Sequence, residues 1–474
     1  MATQKKILGN AFAQIIGKFL TILASLVVVK LLTGFGKSFY GNYLTSYEFL
    51  AFFGILADAG LFAIAVREIS KSKSQLETQK IFGNIFSIRL LFVVVVMLLA
   101  VIGVRFVPNY PAVVKNGVLI TAVSMGLTIL CGTLSSVLQA RMKIHWFSLG
   151  LVLSKVILAL GIWALFQNGY ATSETDFYSY LGVGVLANFV FLCIVWWFVR
   201  QEVKIRLQFD FSYWKKLLTE SLPFGLALIL QTLYLRLDIL LISFLLGSSA
   251  VGMYGVSTRV LEALFALSVF FGHAVLPKIS AEETDVQAAN KTLSWAITVL
   301  LAVVLPIIMG LKKFSNELVV ILSNKEFLSV SGVTGANTVL SVLAITVFFA
   351  FFNQLFTFSL VAKKRQNYML KVNALALLLN GVLNVLFLPQ YGIIAAAYST
   401  IVSAAFVFLC LQYEVRKQFT VFLTFDLLWP VLLANGGLLV WLFFTPIGDS
   451  LPVSFVVGGL WYGAVFAYYR KRYL

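Results

Sequence analysis

The sequence predicts an all-α polytopic membrane protein of about fourteen transmembrane helices: two parallel six-helix repeats followed by a helix pair. Three observations carry this expectation. Apolar runs of eighteen or more residues recur from end to end, and a helix of that length crosses the hydrocarbon core of a bilayer. Basic residues crowd into alternate loops. Short motifs return after about 210 residues.

Composition closes off other classes. Of 474 residues, 60% are hydrophobic and only 12% charged, which no soluble domain of this length tolerates. Cys131, Cys193 and Cys410 lie singly in apolar runs and offer neither a disulfide framework nor ligand spacing. His145 and His273 cannot make a metal site on their own. The net charge of +17 invites a nucleic-acid reading, but the basic residues are scattered over short loops and form no reading surface. The first apolar run contains Lys18 and Lys30, shows no small-residue cleavage site, and reads as a retained helix.

In chain order the spans are expected at 7–32, 40–66, 82–105, 116–139, 147–167, 177–199, 221–245, 252–275, 292–311, 331–361, 369–388, 393–412, 427–444 and 453–469. With both termini placed in the cytoplasm, twenty-three Lys and Arg fall in cytoplasmic segments and five in outer loops. That asymmetry sets the expected orientation in a cytoplasmic (plasma or inner) membrane. It also explains most of the basic excess, as attraction to anionic headgroups.

Tyr40-Gly41-Asn42-Tyr43 matches Val251-Gly252-Met253-Tyr254, and Arg67-Glu68-Ile69-Ser70 matches Pro277-Lys278-Ile279-Ser280. The expected organisation is therefore an N-terminal bundle at 1–205, an interfacial linker at 206–220 and a second bundle at 221–412. A second interfacial linker follows at 413–426, then two appended spans within 427–474. Each repeat has an even number of spans, so both face the same way and a ligand site is expected between them. Phe209 to Leu218 reads as an amphipathic helix lying in the cytoplasmic interface or as an ordinary connector with aromatic anchors. Pro306 with Gly310, and Pro223 with Gly225, are expected to interrupt their spans.

Ionisable residues inside spans are costly and usually face a cavity, a partner or a substrate. The deep cations are Lys18, Arg89, Lys155, Arg236 and Arg259; the deep acids are Glu48, Asp58, Asp238 and Glu262. Glu262 lies ten residues beyond Gly252, about 15 Å along a helix and so near mid-membrane. Arg259 is its i,i+3 neighbour, placed either to pair with it or to face a substrate. Arg236 and Asp238 point to different sides of their helix. Gln14, Lys18, Thr21 and Ser25 share one face of the first span. Lys155 has no acid near it in sequence, which makes it the foremost candidate for an anion ligand. Asn373, Asn380 and Asn384 form an uncharged stripe that suits sugar hydroxyls or interhelical hydrogen bonds equally. The sequence shows no Gly-rich phosphate loop, no metal-ligand cluster and no nucleophile with a placed His, so no enzyme is expected.

Several of these residues fall in motifs that resemble a known family. Leu56-Ala57-Asp58-Ala59-Gly60-Leu61 with Arg67-Glu68-Ile69 is similar to the second-helix motif of the Wzx-type polysaccharide flippases. Arg236-Leu237-Asp238, Gly247, Val251-Gly252-Met253-Tyr254, Arg259, Leu261-Glu262-Ala263 and Pro277 resemble their seventh and eighth helices. Leu388-Pro389-Gln390-Tyr391-Gly392-Ile393 resembles the turn before their twelfth.

The resemblance implies the multidrug/oligosaccharidyl-lipid/polysaccharide (MOP) superfamily. It implies a V-shaped pair of six-helix bundles that alternates between inward-open and outward-open states. The implied substrate is an undecaprenyl-pyrophosphate-linked oligosaccharide, or a similar polyprenyl-linked one, moved from the inner to the outer leaflet for cell-surface polysaccharide export. Lys18, Lys155, Arg236, Arg259, Arg89 and Asn380 are the expected pyrophosphate and sugar ligands. Glu48, Asp58, Asp238 and Glu262 are expected in ion coupling or structural pairing. No cofactor or metal is expected; proton or sodium coupling stays open. The expected partners are the lipid-linked oligosaccharide, the bilayer, and polysaccharide polymerase and chain-length machinery. Alternatives are a flippase for lipid II-type peptidoglycan precursors, a multidrug exporter of the same superfamily, and a membrane enzyme acting on lipid-linked glycans.

Overall fold

The computed structural model describes residues 2–58, 60–169, 173–281, 286–363, 365–420, 425–445 and 450–473. Among the described residues the chain is helical, with no strand and a single isolated bridge, Val330–Val333. The helices are α1 (Ala2–Thr33), α2 (Lys37–Asp58), α3 (Leu61–Lys71), α4 (Gln75–Gly103), α5 (Ala112–Ala140) and α6 (His145–Gln167). Next come α7 (Glu174–Glu202), α8 (Phe211–Leu245), α9 (Ser248–Ala281), α10 (Val286–Lys313), α11 (Ser315–Leu322) and α12 (Ala336–Leu343). The last are α13 (Thr346–Ala362), α14 (Gln366–Tyr391), α15 (Ile393–Gln418), α16 (Phe425–Phe444) and α17 (Leu451–Tyr473).

Each expected span falls on a helix. Among the described residues ten stretches are long and apolar enough to cross a membrane, eleven with the pair α12–α13, which bends by 41°. The seventh expected span is carried by α8, and the last two by the shorter apolar helices Leu428–Phe444 and Leu451–Val465. Side-chain distribution fits a lipid solvent. Leu91, Val94, Val95, Leu98, Leu99 and Ile102 point outward from α4, while Ser124, Thr133, Ser135 and Ser136 of α5 are buried. Apolar chains meet acyl tails, and small polar residues let helices approach.

Three expectations are corrected. The second span is two helices, because Gly60 takes a left-handed conformation (φ 74°) between α2 and α3. The linker helix and the seventh span are one continuous α8. Pro306 does not interrupt α10, nor Pro223 α8; in hydrocarbon a helix keeps every other internal bond because water offers no replacement. Between α10 and α12 the chain forms the short helix α11. Of the quoted motif residues, Ala59 lies outside the described residues, as do the side chains of His273 and Lys278 and part of the linker 413–426.

The chain divides into two compact units, 1–252 and 253–474. In the first, α5 lies at the centre against α2, α3, α4 and α7, while α6 joins α1 to α7. One apolar cluster gathers Ile64, Phe82, Leu134, Val195 and Leu217; another gathers Leu50, Met97, Val104 and Val118. The structure also seats α8 in this unit, against α2 and α3, whereas the repeat pattern groups it with 221–412. In the second unit α15 packs on α12, α13 and α14, and α10 carries α16, which holds α17. Trp461 donates from Nε1 to the Ala434 carbonyl (3.0 Å), and Tyr462 Oη to Asn435 Oδ1 (2.6 Å).

The first turn of α9 rests on the first turn of α2, both within the first unit. A methyl group at Gly41 would fall 1.7 Å from the Ser248 carbonyl oxygen, and one at Gly252 would fall 2.2 Å from that of Lys37. These are the glycines of the two motif copies, and they pack on each other. Gly41→Ala and Gly252→Ala should each lower stability by about 1–3 kcal/mol through forced backbone displacement. Thermal unfolding of the detergent-solubilised protein is the check, with Gly103→Ala, where a methyl group meets nothing within 4 Å, as control.

Candidate functional site

The deep charges of the first unit sit on α1, α2, α4, α6 and α8. Arg236 of α8 forms an ion pair with Glu48 of α2, joining residues 188 apart in sequence. Glu48 is buried, and Arg236 stays about a third exposed. A carboxylate so placed keeps its charge only beside a cation. Asp238, two residues on, is buried too.

Arg89 has another role from the one expected. Its side chain is buried, its Nη1 donates to the Asp58 carbonyl oxygen (2.9 Å), and the same guanidinium pairs with the Asp58 carboxylate. Asp58 is the last residue of α2, where helical carbonyls lose their intrahelical partners. Arg89 thus caps the break in the second span. Gly60 completes it: a methyl group there would lie 2.9 Å from the Gly225 nitrogen, so only glycine lets α8 run this close.

Further contacts toward both ends hold α8 in place. At one end Arg67 pairs with Glu68 (2.8 Å) and with Glu220. At the other, Tyr110 and Ser243 share a hydrogen bond of 2.6 Å, and Asn109 Nδ2 donates to the Phe244 carbonyl (2.6 Å).

Lys18 and Lys155 share a seam. Gly17 abuts Ser148, and Gly34 abuts Phe166, so α1 and α6 run parallel in register. Lys155 lies two turns beyond Ser148 on the same face. The seam therefore carries Lys155 about 9 Å further along than Lys18. Lys18 is exposed and Lys155 half-buried. Beside Lys155 runs a network that sequence reasoning missed. Ser154 Oγ donates to Asn188 Oδ1 (3.4 Å), Asn188 Nδ2 donates to Ser124 Oγ (2.7 Å), and Tyr47 Oη lies 3.4 Å from Ser124 Oγ. A lone Asn in an apolar span is the only sequence signal for it.

In the second unit Arg259 pairs with Glu262 along one face of α9 at 2.6 Å. This is the structural pairing that their spacing allowed. Asn380 is buried, and its Oδ1 accepts from Asn384 Nδ2 at 3.1 Å. The amide stripe is linked within its own helix, while Asn380 Nδ2 is buried and makes no hydrogen bond among the described residues.

The comparisons fit this geometry. The fold is that of the MOP superfamily. It is similar to the structure described as lipid II flippase MurJ, inward closed conformation, with a TM-score of 0.77, 17% identity, and coverage of 98% of this chain and 99% of that one. It is also similar to an inward-facing multidrug resistance MATE family transporter of the superfamily (TM-score 0.65, 11% identity, 84% and 95% covered). The chain belongs to the polysaccharide biosynthesis protein family, which matches residues 7–283; the MatE family matches 223–386. Among curated proteins it resembles the probable low-salt glycan biosynthesis flippase Agl15 of Haloferax volcanii, 27% identical over 174 residues. That match spans 36% of each chain, about a third of the relative's length.

Arg236→Ala should strand a buried carboxylate and destabilise the protein by about 3–5 kcal/mol. Glu48→Gln with Arg236→Gln should recover much of that loss. A double-mutant cycle in thermal unfolding measures the coupling, and additive losses would contradict the pair.

Proposed function

We propose that this protein is a flippase that carries a polyprenyl-pyrophosphate-linked oligosaccharide from the inner to the outer leaflet of the cytoplasmic membrane by alternating access. Membership of the polysaccharide biosynthesis family, together with the MOP fold, supports the reading. The single observation that carries it is that Lys18, Lys155 and Arg236 all stand within long apolar helices of the first unit, α1, α6 and α8, where a phosphorylated guest would balance their charge.

The pairing of Arg236 with Glu48 refines the mechanism. A cation left without a carboxylate in hydrocarbon would be unstable, so the resting state holds the pair. An arriving pyrophosphate competes for the guanidinium, and charge-assisted contacts in a low-dielectric site are stronger than in water. Glu48 then loses its partner and takes up a proton or sodium ion, which couples transport to an ion. Glu262 and Asp238 offer the same exchange on α9 and α8. Arg89 keeps its cap on α2 throughout. The lipid tail stays in the bilayer, and the polar side chains of α1 meet the sugars.

A second reading has one observation in its favour. Similarity to the lipid II flippase structure extends over nearly the whole chain, the pair α16–α17 included, whereas the MATE structure covers 84% of it. A lipid II-type precursor is therefore the second substrate to try.

The test is reconstitution in liposomes with a fluorescent polyprenyl-pyrophosphate oligosaccharide and a leaflet-accessibility readout. The intact protein should transfer the substrate. Lys18→Ala with Lys155→Ala should slow transfer about tenfold or more, since each lost contact to a charged group is worth about 1.5–3 kcal/mol. Normal transfer by a folded double variant would remove the lysines from the site. Transfer of lipid II alone would decide for the second reading. In cells, Lys18→Ala with Lys155→Ala should abolish surface polysaccharide while expression persists.

A further inference from the structure

The segment between α7 and α8 is built as a strap. Residues 204–210 have no regular secondary structure and lie across α4. Asn84, fully buried, is the clamp: its Oδ1 accepts from the Asp210 backbone N–H (2.8 Å) and from Trp214 Nε1 (3.1 Å), and its Nδ2 donates to Gln208 Oε1 (3.3 Å). The Gln208 backbone N–H donates to Ser87 Oγ (2.9 Å). A methyl group at Gly83 would fall 2.4 Å from the Arg206 carbonyl oxygen, so the strap touches the α4 backbone. Val203 and Leu217 are buried in the apolar core at its two ends. Asp210 caps α8 by accepting from the Tyr213 N–H (3.0 Å) and lies 3.9 Å from Lys80 Nζ.

What the clamp holds outward is unusual. Leu207, Phe209 and Phe211 are 50%, 61% and 73% exposed, although the segment carries four basic residues and joins two spans. Phe209 and Phe211 lean on the buried Trp214 ring, with centroids 5.9 and 5.3 Å away. Lys204, Arg206, Lys215 and Lys216 flank them and are all exposed. The neighbouring acids are engaged: Glu202 with Lys143 (2.5 Å), and Glu68 and Glu220 with Arg67. The strap thus offers an apolar ridge inside a basic rim, at the end of the unit where the α5–α6 turn meets α4 through Arg141 and Thr78 (3.3 Å).

We propose that this strap is a lipid-reading surface: Leu207, Phe209 and Phe211 enter the boundary between headgroups and acyl chains, and Lys204, Arg206, Lys215 and Lys216 bind anionic headgroups of the same leaflet. The charge pattern selects the partner. An apolar ridge alone would suit any bilayer, while a basic rim whose nearby acids are engaged favours anionic lipid, at about fivefold per Lys or Arg near the surface. Amphipathic interfacial segments lie roughly 5–10 Å into that boundary. Because Asn84 ties the strap to α4, the lipid contact fixes the depth of the helices beside it. This proposal rests on the membrane fold and is independent of the substrate carried.

The experiment uses the full chain in vesicles of phosphatidylcholine alone and of phosphatidylcholine mixed with phosphatidylglycerol. Cys193→Ser and Cys410→Ser leave only the buried Cys131. Nitroxide labels are then placed through Leu207→Cys, Phe209→Cys or Phe211→Cys. Labels accessible to oxygen and shielded from a water-soluble nickel complex are the expected result. Labels open to the nickel complex in both vesicles would overturn the proposal and mark the ridge as a face for a soluble protein. The second arm measures retention of spin-labelled phosphatidylglycerol against phosphatidylcholine. Replacing Lys204, Arg206, Lys215 and Lys216 by Ala should reduce the preference about tenfold or more. An unchanged preference would refute headgroup binding by the rim.

Discussion

A charge inside a bilayer must bring its counter-charge with it, and much of this structure follows from that constraint. Arg236 and Glu48 join α8 to α2, and Arg89 and Asp58 join α4 to the end of α2. Neither pair is a surface ornament, because burying one partner alone would cost several kcal/mol. The pairs therefore dictate which helices are neighbours. The break in the second span depends on one of them: the Asp58 carbonyl, left without a helical donor, is met by Arg89.

The second constraint is that lipid supplies no hydrophobic force between helices, so they associate by close packing and polar contacts. Glycine and serine positions do this work. Gly17 meets Ser148, Gly60 meets the backbone at Gly225, and Gly41 meets Gly252. The network from Tyr47 through Ser124 and Asn188 to Ser154 links four helices without a charge. Many large apolar residues also face outward, such as Leu91, Leu98 and Leu99 of α4, where acyl tails meet them.

For the transport cycle proposed above these constraints would be useful rather than incidental. A paired guanidinium is stable when the site is empty and still available when a stronger anion arrives. Pairing thus replaces the picture of bare cations waiting for a guest. The first unit carries Lys18 on α1, Lys155 on α6 and Arg236 on α8, while in the second unit Arg259 pairs with Glu262 on its own helix. Depth in the membrane, set in part by the strap between α7 and α8, determines which leaflet these groups can reach.

Apolar period and length are local properties, so the all-helical membrane class and a helix for every expected span were readable from the residues alone. The family was readable too, because motifs such as Arg236-Leu237-Asp238 and Val251-Gly252-Met253-Tyr254 stand in one dimension. Pairing was not, since Glu48 and Arg236 are 188 residues apart and no period links them. Nor was the fate of Arg89: a residue's depth shows that it needs a partner, and only the packed helices show which partner it finds. Where a helix breaks and which helix lies across the break depend on backbone approach, as at Gly60 and Gly225, and that distance exists only in three dimensions.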